Sequence, residues 1–594
     1  MVSVPAPEHH YAQVQVTFTG VPQPTLEIRM SRSSPGRYAL HEFAKNVFDV
    51  EVVDGQGRPL APARPNPYQW NVAGHDGTVR VSYKVYGDHV DGTYLAIDPT
   101  HAHMNMPALL MWARGFEAHP ALVSFEPPAE SAWKPATQLF PTDDQWTFTA
   151  PNLQYLMDSP TELSAQTFRS FTVNNPDGKR FEIRLAIHHD ASTEEIEEYA
   201  AGAEKIVREQ GAIFGEYPQF DTGTYTFLAD YVPWGGGDGM EHRNSTVVAA
   251  SVSLRTPGMV ADVLDTVSHE FFHAWNVERI RPASLEPFDF EKANMSGELW
   301  LAEGFTRYYG DLVMVRAGLV PRVAGGAGLA RAANTVINGS GRQFRSAVGM
   351  SRMAPFVDAA RSVDPASFSN THISYYTYGA AIALGLDLTL RERSNGKVTL
   401  DDYMRALWRA HGKPGGTTVG LVAKPYTMAD LRARLGEVSG DAAFAQQFFD
   451  RYIAGRDVVD YARLLLRAGY LFRKASPGAA WIGDVHLDKN GTIDELLAWG
   501  TPLFAAGLDQ GDVILALDAK TLGSGGVTLQ SMLKARKPGD EVTIAFRRRG
   551  GETGTTTVTA KENPAMHAVP VEAAGGTLSA DQKRFREAWL GSRR

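Results

Sequence analysis

Cysteine is absent from all 594 residues. That excludes disulfides, cysteine-based zinc sites and a thiol nucleophile, and it leaves the compartment open. An excess of basic charge is missing too: 58 Lys and Arg stand against 67 Asp and Glu, a net charge of −9. Such a chain has no general attraction for nucleic acid or for an anionic membrane surface, and the run Arg547-Arg548-Arg549 reads as a solvated strand end. No apolar run is long enough to span a bilayer; the run from Ala380 to Leu386 stops at Asp387. The opening, MVSVPAPEHHYAQVQ, has neither the basic nor the apolar region of a secretion signal. Either the protein is cytoplasmic or a leader has been removed.

What remains is ordinary for a folded protein: 43% apolar and 21% charged residues. The length exceeds what one core serves and predicts about three or four domains. Residues 1–165 alternate and turn; YAQVQVTFTG and TVRVSYKVYG read as half-buried antiparallel strands of a sandwich-like all-β domain. From residue 166 the texture changes. FEIRLAIHH is a strand, and STEEIEEYAAGAEKIVREQG is a helix opened by a Ser192/Glu195 capping box and closed at Gly211. Then come the strand YTFLADYV, the glycine-rich loop PWGGGDGMEHRN, the strand STVVAASVSL and a helix starting near Ala261. The pattern is mostly helical to residue 466, strand-rich over 467–562, and ends in a linker and short amphipathic helix over 563–594. The fold class expected is multidomain α+β.

The stretch VSHEFFHAWNVERIRP carries the chemistry. His269 and His273, four apart on a helix, point two imidazoles at one ion, while Glu270 sits about 100° round the helix. This is the division of labour a hydrolytic zinc site needs: neutral imidazoles bind the metal and a carboxylate takes a proton from water. The third ligand is sought in LWLAEGFTRYYGD, where Glu303 stands among apolar residues and needs a partner if buried. The competing reading puts Glu303 on an exposed face, paired with Arg307.

Together, HEFFHAWNVERIRP, LWLAEGFTRYYGD, SYYTYGAAIALGLDL and GGDGMEHRNST resemble the glycyl aminopeptidase family of zinc metallopeptidases, gluzincins that often carry a C-terminal PDZ domain. The resemblance spans nearly the whole chain. It implies an N-terminal β domain, a thermolysin-like mixed α/β and helical catalytic domain over 166–466, and a PDZ-like β domain. It implies one Zn2+ per chain on His269, His273 and Glu303, with Glu270 as general base. It also implies removal of single N-terminal residues, small ones such as Gly or Ala, from peptides with a free N-terminus.

Two further positions follow from the same resemblance. Relatives grip the substrate amine with a glutamate in a Gly-Ala-Met-Glu-Asn loop; here Gly239, Met240 and Glu241 match as substrate-binding residues, with His242 in place of asparagine. The oxyanion donor corresponds to Tyr376, with Tyr375 adjacent. In the C-terminal module, AAGLDQGDVILALD fits a PDZ turn and strand, and Gly469 to Phe472 is the expected carboxylate-binding loop; the module either binds C-terminal peptides or simply packs on the catalytic domain. In the expected mechanism the substrate lies along STVVAASVSL as an edge strand. The family points to a periplasmic or secreted protein, with the cytoplasm left open. Two alternatives stand beside this reading: a zinc endopeptidase, which would cut N-terminally blocked peptides, and a non-catalytic PDZ-type peptide-binding scaffold, which would hold no stoichiometric zinc.

Overall fold

The structure, a computed structural model, describes residues 1–358, 364–522 and 528–594. In the strand Thr78–Tyr86, Val79, Val81, Tyr83 and Val85 turn inward and the residues between them face out, so the alternation in sequence is the alternation in space. Tyr11–Thr19 pairs with it antiparallel, Tyr11 opposite Tyr86 and Thr19 opposite Thr78. These strands belong to a seven-stranded sheet, and two four-stranded sheets complete the all-β N-terminal region. Leu26, Ile28, Trp70 and Phe125 lie in its core.

The catalytic region is built on a five-stranded sheet. Its strand order is Thr167–Asn174, Arg180–His189, Thr224–Tyr231, Ser245–Ala250, Asp238–Glu241. The middle three are parallel and the outer two antiparallel. One face buries Leu185, Phe227 and Val248 against the helices Thr193–Phe214 and Met259–Phe272. The other face packs Ala186, Leu228, Met240 and Val247 on Ala136 of the N-terminal region. The catalytic sheet is thus covered on both sides, which is why Val247 to Ala250 runs apolar without alternation. This corrects one expectation: that strand is interior, and the sheet edge is Asp238–Glu241.

The capping box forms, with the Ser192 amide donating to Glu195 Oε2 at 2.7 Å. The helix runs past Gly211 to Phe214 and is stopped by Gly215 in the left-handed region. Gly211 serves packing instead of termination, because a Cβ there would lie 2.4 Å from the Tyr217 ring. The helix expected near Ala261 begins at Met259.

The PDZ-like module has its own core, including Ile482, Leu503, Ile544 and Val558, and a four-stranded sheet centred on Val513–Leu517 and Glu541–Arg547. The expected carboxylate loop at Gly469 to Phe472 is not one. Tyr470–Lys474 forms a ribbon with Met566–Pro570, and Tyr470 is buried in the catalytic core. Gly469 is engaged as well, its carbonyl accepting from Arg586 Nη2 at 2.6 Å.

The closing helix Ala580–Leu590 docks on the catalytic region. Trp589 is fully buried, and its Nε1 donates to Tyr308 Oη at 2.9 Å; that hydroxyl donates to Asp387 at 2.8 Å. Arg316 and Arg391 donate to the carbonyls of Trp589 and Ala588. Among the described residues, no helix is long and apolar enough to cross a membrane. Replacing Trp589 by Ala empties a large core site and leaves the Tyr308 hydroxyl short of a partner. It is expected to cost about 3–5 kcal/mol, read as a fall in the calorimetric transition of the catalytic region.

Candidate metal centre and active site

The helix Met259–Phe272 buries Val260, Val263, Leu264, Val267 and Phe271 and turns His269 to its open face; His273 follows as the capping residue. The two Nε2 atoms stand 3.2 Å apart. His273 Nδ1 lies 2.6 Å from the Asn276 carbonyl, which accepts only from a protonated Nδ1 and so leaves the Nε2 lone pair free. Asn276 is also a clamp. Its side-chain amide donates to the carbonyls of Leu301 and Ala302 and to Thr306 Oγ1 at 3.0 to 3.2 Å. One buried residue thus ties the turn after HEFFH to the segment carrying Glu303.

Glu303 sits at the junction of the helices Leu299–Ala302 and Gly304–Arg316 and is 2% exposed. Its Oε2 lies 3.3 Å from His273 Nε2 and 3.7 Å from His269 Nε2. The exposed pairing with Arg307 does not occur; Arg307 faces Asp311 at 3.6 Å. The segment reaches this position because Gly304 meets Gly379 at helix-crossing distance: a Cβ on Gly304 would stand 2.3 Å from the Gly379 Cα. That close approach draws the start of the helix Tyr375–Ser394 to the same space, and the Tyr376 ring lies 6.0 Å from that of His269. Tyr375 stacks behind it at 4.9 Å, buried against Tyr38. Of the two tyrosines, Tyr376 is the one beside the histidines.

Glu241 ends the edge strand and is 5% exposed; Glu270 is buried. An oxygen of each and a ring nitrogen of His273 lie within 4.8 Å of one another. Gly239 packs directly on Glu270, since a Cβ there would stand 2.1 Å from Glu270 Oε1. Met240 points its side chain away, into the seam with the N-terminal region. It has only its main chain to offer a substrate. His242, in the place expected for asparagine, is fully buried, its Nδ1 2.9 Å from Asp158 Oδ1.

Burial and charge set the protonation of these groups. Burial pushes Glu241 up to about 8, opposed by His273 and reinforced by Glu303 and Glu278. Burial drives Glu270 well above the carboxylate range. For His273 burial pulls down, but Glu241 and Glu303 outweigh it and hold the imidazole up to about 10. For Glu303 burial pulls up, and His273 and His269 outweigh it, leaving the carboxyl well below its usual range. Three buried acids thus crowd round two imidazoles, and a divalent cation held there would favour the ionised form of each acid and the neutral form of each imidazole. Two imidazole Nε2 atoms and one carboxylate suit zinc, and donor separations of 3.2 to 3.7 Å suit a common ion. Arms of roughly 2.0–2.2 Å give tetrahedral edges of about 3.3–3.6 Å.

Sequence reasoning missed the contribution of the N-terminal region. Tyr38 Oη donates to Glu303 Oε1, Arg37 pairs with Asp238, and the Tyr38 amide donates to Asp358 at 2.8 Å. Nothing in SSPGRYAL marks these residues, because they meet the site only through the fold. Asn276 did carry a signal: a polar residue between Trp275 and Val277, directly after the motif.

Residues 1–165 match the Peptidase M61 N-terminal domain, residues 262–382 the M61 glycyl aminopeptidase domain, and residues 496–560 a PDZ domain. The second match spans His269, Glu270, His273, Glu303 and Tyr376; Glu241 precedes it. No curated protein matches significantly. Among solved structures, an aminopeptidase N family protein from Idiomarina loihiensis shares the fold at TM-score 0.83 and 24% identity, covering 99% of each chain. An M1 zinc metallopeptidase from Deinococcus radiodurans bound to a Tyr-Ser-Ala substrate is more distant, at TM-score 0.46 and 15% identity over 77% of this chain and 94% of its own. With its domains matched in this order, the chain is similar to the M61 glycyl aminopeptidases, and the matches support a metallo-aminopeptidase with a C-terminal PDZ domain.

Proposed function

We propose that the protein is a zinc-dependent aminopeptidase that removes small N-terminal residues, Gly or Ala, from peptides. His269, His273 and Glu303 hold the ion. Bound there, zinc supplies Lewis acidity to the attacking water and to the scissile carbonyl. Glu270 takes the water proton on a carboxylate oxygen and passes it to the leaving nitrogen as the carbon–nitrogen bond breaks. Tyr376 donates its hydroxyl proton in a hydrogen bond to the oxyanion. The substrate backbone adds to the open edge of Asp238–Glu241, through the main chain of Gly239 and Met240.

One observation carries the exopeptidase reading: Glu241 is buried within reach of both Glu270 and His273. A carboxylate held there fixes a cationic amine at one residue's distance from the reacting carbonyl, which an endopeptidase does not need.

Matched peptides beginning with Gly, Ala, Leu or Phe, each free or acetylated, separate the readings by mass spectrometry. Loss of single residues from free peptides only, fastest for Gly and Ala, is expected. Internal cuts in acetylated peptides would remove Glu241 from its role. Glu270→Gln should keep its zinc, measured by plasma mass spectrometry, while kcat falls about 10²–10⁴-fold; near-normal turnover would refute the assignment. Tyr38→Phe removes the donor that orients Glu303 and is expected to weaken zinc retention about 10–100-fold in chelator competition. Wild-type retention would reduce Tyr38 to a packing residue.

A further inference from the structure

A second set of histidines and carboxylates lies where the N-terminal region meets the catalytic sheet. His101 and His103 share one face of the strand His101–Met104, and Glu162 stands directly across from His103 on Thr161–Ser164. From the facing sheet come His188 and Asp230, opposite each other on the parallel strands Arg180–His189 and Thr224–Tyr231. Donor atoms of His101, Glu162, His188 and Asp230 all fall within 4.8 Å of one another.

The burial is extreme. His101 and His103 are 0% exposed, and Glu162 and Asp230 are 1% exposed. Among the described residues, no lysine or arginine pairs with either carboxylate; their ionic neighbours are histidines. Five buried polar atoms have no hydrogen-bond partner: His101 Nε2, both ring nitrogens of His103, Glu162 Oε2 and Asp230 Oδ2. Unpaired buried polar atoms are costly and need an explanation. Two buried carboxylates on strands that never meet in one sheet need a shared counter-charge.

The spacing supplies one. His101 Nδ1 is 3.3 Å from Glu162 Oε1 and 3.4 Å from Asp230 Oδ1. His103 Nδ1 is 3.4 Å from Glu162 Oε2, and His188 Nδ1 is 2.9 Å from Asp230 Oδ1. The three longer distances fall within the 3.2 to 3.7 Å separations of the His269, His273 and Glu303 donors, and the shortest is a His188–Asp230 hydrogen bond. Asp98 Oδ2, 3.7 Å from His101 Nε2, stands where an outer carboxylate would fix a ligating imidazole. A cleft of about 620 Å³ lined by Trp133, His188 and Trp234 reaches one edge of the cluster and offers a path for an ion.

We propose that this seam is a second, structural zinc site, with His101, Glu162, His188 and Asp230 as its ligands and His103 beside them. It would staple the N-terminal region to the catalytic sheet, and so help hold Arg37 and Tyr38 against the active site. The chain would then carry two zinc ions, not the one that the motif alone implies.

The protein, dialysed after growth with zinc, is expected to hold two equivalents by plasma mass spectrometry. Glu303→Ala should leave one, at the seam. The double variant Glu162→Gln, Asp230→Asn should also leave one, at the catalytic centre. If that variant does not fold, wild-type crystals decide: anomalous scattering measured above and below the zinc edge should place a peak between His101, Glu162 and Asp230. One equivalent in the wild type, a second equivalent that survives the double variant, or no anomalous peak at the seam would overturn the proposal and leave a metal-free network of histidines and carboxylates.

Discussion

The active site is organised around an unfavourable act: Glu241, Glu270 and Glu303 are buried together, with histidine nitrogens as their nearest positive partners. Buried carboxylates repel one another and pay for lost hydration, so the surroundings must hold them by force. The Asn276 clamp, the Gly304–Gly379 contact and the Gly239 approach to Glu270 do this. Each is a short-range packing or hydrogen-bond constraint with no tolerance for an added methyl or a lost amide. Rigid placement keeps the carboxylates from relaxing apart and preserves a site whose charge suits a divalent cation.

The N-terminal β region takes part in this machinery. It delivers Tyr38 to Glu303, Arg37 to Asp238 and Asp158 to His242 and the Arg243 amide. The segment from Asp238 to Arg243 is therefore gripped from outside its own sheet. The likeness to the Idiomarina protein extends over 99% of both chains, so the fold that brings these regions together is shared.

Much of this was legible in the sequence where local rules apply. The strands Tyr11–Thr19 and Thr78–Tyr86 follow from period-two alternation, and the helix after Ser192 from its capping box. HEFFH and LWLAEGF announce themselves because helical spacing and a lone acid among apolar residues are local signals. What failed depended on neighbours. Ser245–Ala250 was placed at an edge, although a run apolar on both faces belongs inside a covered sheet. Gly211 looked like a helix stop because Tyr217, the ring that needs its missing side chain, acts from outside the helix. Gly469 to Phe472 looked like a binding loop because a glycine before apolar residues serves equally well for a ribbon buried against helices. His101, Glu162, His188 and Asp230 come from four strands, and no spacing rule joins them.

The Trp589 contact has a consequence in time. The Tyr308 hydroxyl, on the helix that follows Glu303, receives its indole partner from 281 residues downstream. A chain leaving the ribosome displays HEFFH and the Glu303 helix long before the residues that close their core have been made. The half-made protein holds the parts of a peptidase without the support that keeps them in register. The core behind Glu303 is therefore completed only after Trp589 has been made, well after the motif itself.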